Sequence, residues 1–111
     1  MDERARRIGK NEALFRTVNE QVEDLQRGMA AVSDDRMHIV CECGNINCVE
    51  RLAVPISKYE EVRSDTALFF IVPGHEKPDV EDVVESTDGF EVVRKKQGDP
   101  ADFAEETDPR P

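Results

Sequence analysis

The sequence lacks a hydrophobic run of the roughly 20 residues that a membrane helix needs, and its start, Met1-Asp2-Glu3-Arg4, lacks the apolar body of a signal peptide. We therefore expect no membrane association and a cytoplasmic protein. Common enzyme signatures are also missing: the chain has no glycine-rich phosphate loop, no helix motif of paired His and Glu, and no Gly-x-Ser-x-Gly elbow. The sequence predicts no catalytic residue and favours a non-catalytic protein.

Positive charge is scarce over most of the chain. The 111 residues carry 15 Lys and Arg against 25 Asp and Glu, a net charge of −10. A phosphate-binding surface needs clustered basic residues, and the one cluster, within residues 4–10, lies beside Asp2 and Glu3. A solvated helix face accounts for this cluster, so a nucleic-acid partner is not expected.

Cysteine is present three times, an odd number that cannot form a closed set of disulfides. Metal ligation or free thiols remain as alternatives. The central part of the chain, about 65 residues, is also of a size at which burial barely offsets chain entropy. A structural metal would stabilise such a fold, which favours metal ligation.

The pattern of apolar and turn residues predicts an α+β fold, with a long N-terminal helix followed by a small, mainly antiparallel sheet with one short helix, stapled by a metal. Strands are predicted over residues 37–40, 49–54, 68–72, 80–86 and 90–95, the last two forming a hairpin with an Asp-Gly connection. Ser57 and Glu60 fit a capping box that opens the short helix.

The chain divides by composition into three segments. Residues 1–30 form the amphipathic helix, for which Asp2 is the expected N-cap. Residues 31–96 are expected to form a small α+β, zinc-ribbon-like domain. Residues 97–111 have three prolines and a net charge of −4, which predicts a disordered acidic tail.

Apolar residues in the N-terminal helix recur at heptad spacing. The seam comprises Ile8, Phe15, Val18, Val22, Leu25 and Met29, and Asn11 takes the one seam position without an apolar residue. This stripe fits an amphipathic helix that packs on its own domain. The alternative is an interaction helix that docks on a second copy, giving a homodimer, or on another protein.

The three cysteines lie within eight residues, in a Cys-x-Cys-x4-Cys pattern. Cys41 and Cys43, two positions apart on an extended backbone, point to the same face. The turn residues between Cys43 and Cys48 bring the third thiol back to them. The sequence therefore predicts a metal site of Cys41, Cys43, Cys48 and His75, with His75 favoured over His38 because it follows a buried strand in a Pro-Gly turn.

Three thiolates and one imidazole suit a structural zinc ion. The same donors can hold a two-iron (2Fe-2S) cluster, which we keep as a minority alternative because the ligand spacing differs from that of iron-sulfur proteins with such a set. Free cysteines that pack as small hydrophobes, or that act in redox chemistry, are the remaining interpretations.

Four stretches of the sequence resemble a family of small bacterial proteins to which no activity is assigned. They are residues 15–20 (Phe-Arg-Thr-Val-Asn-Glu), the Cys-x-Cys-x4-Cys pattern, Tyr59-Glu60-Glu61-Val62-Arg63 and Pro73-Gly74-His75-Glu76. The resemblance covers most of residues 12–96. It implies a free-standing, soluble bacterial protein and nothing about activity.

These observations predict a small, non-catalytic, zinc-binding interaction or regulatory protein that acts through protein-protein contacts of its N-terminal helix. The alternative is a cysteine-based redox or iron-sulfur sensor or enzyme, in which the cysteine loop itself reacts.

Overall fold

The computed structural model describes residues 1–28 and 36–110, which form an α+β fold of three helices and two small antiparallel sheets. The helices are α1 (Glu3–Gly28), α2 (Ile56–Arg63) and α3 (Asp99–Glu106). The strands are β1 (Arg36–Val40), β2 (Arg51–Pro55), β3 (Leu68–Ile71), β4 (Glu81–Ser86) and β5 (Glu91–Lys95). The predicted fold class is confirmed. No helix in these ranges is long and apolar enough to cross a membrane.

The strands pair into two sheets, whereas a single sheet was expected. β1 pairs with β2, and β5 lies between β3 and β4, all antiparallel. Glu42 links the two sheets: its backbone N–H donates to the Phe70 carbonyl at 2.8 Å, and its Oε1 accepts the Phe70 N–H at 2.9 Å. The chain that follows β1 is thereby fixed beside β3.

The hydrophobic core is shared by both sheets and α2. Tyr59 of α2 stacks on Phe70 of β3 with ring centroids 5.9 Å apart, and Phe70 meets Phe90 edge to face at 5.4 Å. Cys41 and Cys43 are buried in the same core. These two cysteines therefore lie in the hydrophobic core.

The capping-box prediction is wrong. The short helix α2 begins at Ile56, directly after Pro55, and no side chain caps it. Ser57 therefore lies within the first turn of the helix and not at its N-cap.

The predicted hairpin is present. Strands β4 and β5 pair antiparallel, and Asp88 and Gly89 lie in their connection. In this connection the Thr87 hydroxyl accepts the backbone N–H groups of Gly89 and Phe90.

The long helix α1 packs on the sheets mainly through polar side chains. Its buried face comprises Ile8, Glu12, Arg16, Asn19 and Glu23. Asp2 caps the helix as predicted, with its Oδ1 accepting the Ala5 N–H at 2.7 Å.

The heptad seam is divided between the interior and the surface. Ile8 is buried, and Phe15, Val18 and Val22 are half-buried, with Val22 packed against the core. Leu25 is 70% exposed, and Leu14, outside the seam, is 51% exposed. Met29, and the expected boundary between residues 30 and 31, lie outside the described residues.

The buried polar groups of α1 find partners far along the chain. Lys95 donates to Glu12 at 2.7 Å and to Glu81 at 3.0 Å, and all three side chains are buried. Arg16 donates to the carbonyls of Thr66 and Ala104, both at 2.7 Å. Because buried polar groups are costly unless paired, these bonds specify how α1 sits on the sheets.

The prediction of a disordered tail over 97–111 is wrong for the described residues. Residues 99–106 form α3, with Pro100 and the acidic Asp99 and Asp102 in the first turn, where proline and negative charge favour a helix. The ring of Phe103 lies so close to Gly9 of α1 that a Cβ on Gly9 would come within 2.8 Å of it. Composition alone missed this contact.

The residues after α3 tie the C-terminal segment to the two other helices. Asp108 accepts from the buried Arg63 of α2 at 2.6 Å. Arg110 pairs with the carboxylates of Glu20, Glu23 and Glu60. The acidic C-terminal segment is therefore held in place by Arg63 of α2 and by its own Arg110.

The buried Glu12, Lys95 and Glu81 predict a pH-dependent stability. Burial raises the pKa of Glu12 well above its ordinary value, and Lys95 offsets this only in part. The fold therefore prefers protonated Glu12, and its stability decreases as pH rises from the ordinary Glu value through the raised pKa. We expect Glu12→Gln to gain stability over wild type with rising pH, by up to about 1.4 kcal/mol per pH unit.

Urea unfolding of both proteins at about pH 5 and about pH 8 measures this difference. Glu105→Gln, an exposed substitution on α3, is the matched control and is expected to track wild type. A constant difference between Glu12→Gln and wild type at the two pH values would contradict the protonated state of Glu12.

Candidate metal centre

Three short segments position the cysteines and His75. Cys41 and Cys43 follow the end of β1, and two backbone hydrogen bonds hold this segment. The Cys41 N–H donates to the Glu50 carbonyl, and the Glu42 N–H donates to the Phe70 carbonyl. Cys48 closes a tight loop in which its N–H donates to the Asn45 carbonyl at 3.0 Å. The loop follows from the turn-forming residues between the second and third cysteines.

His75 arrives from the other sheet. It follows β3 by way of Gly74, whose φ of 90° is accessible to glycine at little cost. The His75 N–H donates to the Val72 carbonyl at 3.0 Å, which closes the turn. The turn therefore brings a residue 27 positions beyond Cys48 back to the cysteine loop.

The four predicted ligands lie together. One donor atom from each of Cys41, Cys43, Cys48 and His75 falls within 4.8 Å of the other three. His75 Nδ1 is 3.6 Å from the Cys41 sulfur and 3.7 Å from the Cys48 sulfur. Cys41 and Cys43 are buried, and the other two residues are half-buried. This group could hold a metal ion.

His75 is oriented from its far side by a carboxylate. Its Nε2 lies 2.9 Å from Glu50 Oε2, while Nδ1 faces the sulfurs. A hydrogen bond from the second ring nitrogen to a carboxylate fixes the orientation and tautomer of a ligating histidine. The ring is thus set to offer Nδ1 to an ion.

The three sulfurs interact strongly with one another. The hydrogen bond from the Cys41 thiol lowers the pKa of Cys43 to about 4, and the same bond raises the pKa of Cys41 above its ordinary value. Burial raises the pKa of Cys48. The Val72 N–H also donates to the Cys41 sulfur at 3.2 Å. The thiolate form is therefore favoured at Cys43, and a metal ion would displace the protons of the other two thiols.

The structure separates the two histidines. His38 lies exposed on β1, in register with Ala53, and is not a member of the group with the thiols. Glu50 was missed by sequence reasoning, although it follows Cys48 by two positions, the spacing that places side chains on the same face of an extended chain. An acidic residue at that spacing was the available signal.

Comparison with protein-family models, with curated proteins and with solved structures finds no match.

The Glu50–His75 contact predicts that Glu50 tunes metal affinity. Glu50→Ala removes the carboxylate that orients the imidazole, and we expect affinity for Zn²⁺ to decrease about 10- to 100-fold. Competition with a chromophoric chelator measures the dissociation constant. Glu76→Ala is the matched control, since Glu76 neighbours His75 in sequence but is not bonded to its ring; an equal loss in both variants would contradict a specific role for Glu50.

Proposed function

We propose that the four-residue group holds one zinc ion. Zn–S distances of about 2.3 Å and Zn–N distances of about 2.0–2.1 Å in a tetrahedral site place ligand atoms about 3.5–3.8 Å apart. The two sulfur-to-Nδ1 distances, 3.6 and 3.7 Å, already agree with this spacing. This agreement is the observation that carries the proposal.

A single ion suits the group better than a two-iron cluster. Four donor atoms within 4.8 Å of one another fit one coordination sphere, whereas a cluster divides its ligands between two irons. Four protein ligands also close the sphere, the arrangement of structural rather than catalytic zinc. We therefore propose a structural zinc and a non-catalytic protein.

Thiolate ligands favour a reducing compartment, which supports a cytoplasmic location.

The proposed function is protein-protein interaction through the outer surface of α1. Leu14 and Leu25 are exposed there, and Val18, on the same side of the helix, is half-buried. A helix that uses polar residues to pack internally and leaves leucines outside is suited to docking a second copy or the helix of another protein. We propose that this surface is the interaction element.

Thiol redox chemistry is a second candidate, favoured by the half-buried position of Cys48 beside two other sulfurs. Two thiols would join in a disulfide and give two protons and two electrons to hydrogen peroxide, which is reduced to two water molecules. Alkylation of native, zinc-loaded protein separates the candidates. Protected thiols favour structural zinc, and one rapidly modified cysteine favours the sensor.

The zinc proposal predicts one ion per chain. Protein purified without chelator is expected to contain about one equivalent of zinc by elemental analysis and native mass spectrometry, and Cys43→Ser and His75→Ala are expected to lose or weaken it. His38→Ala is the matched control and retains zinc. Wild-type protein without metal, or equal loss in the two histidine variants, would contradict the proposal.

The interaction proposal predicts that charge on the outer surface of α1 disrupts assembly. Leu25→Glu should shift sedimentation equilibrium toward the monomer if copies pair, or abolish co-purification of a partner, because a charge opposes burial of this surface. Val84→Glu, a change at an exposed apolar residue of β4, is the control. If Leu25→Glu left both the oligomeric state and the co-purifying partners unchanged, α1 would not be the interaction element.

A further inference from the structure

The segment of residues 40–44 has two faces with different neighbours. Cys41 and Cys43 direct their sulfurs to the metal site. The alternate residues, Val40, Glu42 and Gly44, contact α1. Glu42 makes this contact through its side chain, and Val40 and Gly44 make it through backbone groups.

Helix α1 contacts the second face at two places along its length. Asn19 bonds the strand edge through its amide: Nδ2 donates to the Val40 carbonyl at 2.9 Å, and Oδ1 accepts the Val40 N–H at 2.8 Å. The same Nδ2 donates to the buried Glu42 carboxylate at 2.8 Å. The helix therefore forms hydrogen bonds with the residues on both sides of Cys41, Val40 and Glu42.

The N-terminal part of α1 rests on the cysteine loop itself. Asn11 Nδ2 donates to the Gly44 carbonyl at 2.8 Å. Ile8 packs so closely on Gly44 that a Cβ there would lie 2.5 Å from the Ile8 side chain. Because Gly44 directly follows Cys43, the contacts of Ile8 and Asn11 with Gly44 depend on the path that the loop takes from Cys43 to Cys48.

Three later residues of α1 have partners outside residues 40–48. Glu12 bonds Lys95, Arg16 bonds the carbonyls of Thr66 and Ala104, and Glu20 pairs with Arg110. Before Glu12, the contacts outside the loop are the exposed Arg4–Asp79 ion pair, the pair of the Met1 amino group with Asp99, and the packing of Gly9 on Phe103. Because exposed ion pairs contribute little stability, loss of the loop's fixed path would loosen the helix before Glu12 while the later turns stay docked.

On the basis of the proposed zinc site, we infer that metal occupancy controls the docking of the N-terminal part of α1, residues 3–11. A bound ion would join Cys48 to Cys41 and Cys43 and so fix the position of Gly44, on which Ile8 and Asn11 pack. Without the ion, few bonds hold the loop, and the docking of residues 3–11 loosens.

This coupling gives the metal site a regulatory consequence. The loosened segment carries Arg6, Arg7 and Lys10, for which no ion pair is found among the described residues, and Ile8, the first residue of the heptad seam. Metal loss thus changes which part of the interaction helix is available to a protein partner.

Hydrogen-deuterium exchange of the full chain, zinc-loaded and after chelation with EDTA, tests the inference. We expect amides of residues 6–15 to exchange about tenfold faster or more after chelation, while amides in β3 and β5 stay protected. Unchanged exchange at residues 6–15 in a protein that does bind and release zinc would overturn the inference and leave the zinc proposal intact. Simultaneous loss of protection in α1, β3 and β5 would also overturn it, since the ion would then hold the whole fold.

Reciprocity supplies an independent variant. If zinc fixes the position of the Gly44 carbonyl that Asn11 bonds, then Asn11 must in turn favour zinc binding. Asn11→Ala is expected to weaken zinc binding about two- to tenfold, the loss of one partly buried hydrogen bond, in a chelator competition at fixed pH. Gln21→Ala, an exposed and uncharged position of the same helix, is the matched control. Equal zinc affinity of Asn11→Ala and wild type would overturn the coupling, whereas failure of wild type to bind zinc would overturn the proposed function and this inference together.

Discussion

The opposed contacts of residues 40–44, with the candidate metal site on one side and with helix α1 on the other, are the constraint on which the rest of the structure depends. One side of this segment supplies two of the four candidate metal ligands. The other side supplies the strand edge, the carboxylate and the carbonyl that α1 contacts. Glu42 adds the bond to Phe70 that joins the first sheet to the second. A change in the backbone path here would disturb the metal site, the helix and the sheet junction together.

Helix α1 is docked by bonds rather than by an apolar stripe. Its buried carboxylate, guanidinium and amide groups each have partners at specified positions, and Arg16 also lies 4.4 Å over the ring of Phe69. Such contacts add little net stability, because the polar and charged groups lose hydration on burial. They do penalise any other placement of the helix, in which the same groups would lack partners. This explains how a helix can dock in one position and still expose leucines.

The sequence was most informative where the determinants are local. The spacing of Cys41 and Cys43, the turn before Cys48 and the Pro-Gly turn before His75 predicted the four grouped residues, and apolar runs predicted the strands. Burial and pairing could not be predicted for residues whose partners lie far along the chain. Glu12 and Lys95 are 83 positions apart, so nothing near Glu12 indicates that it is buried. The acidic tail was misjudged for the same reason: its order comes from Arg63 and from the pairing of Arg110 with α1 and α2.

The central claim is that Cys41, Cys43, Cys48 and His75 share one zinc ion, and X-ray absorption at the zinc edge tests it most directly. Protein purified without chelator should give a tetrahedral first shell of three sulfurs at about 2.3 Å and one nitrogen at about 2.0–2.1 Å. A shell of oxygen and nitrogen atoms with fewer than three sulfurs, or the two-iron signature at the iron edge, would contradict the account.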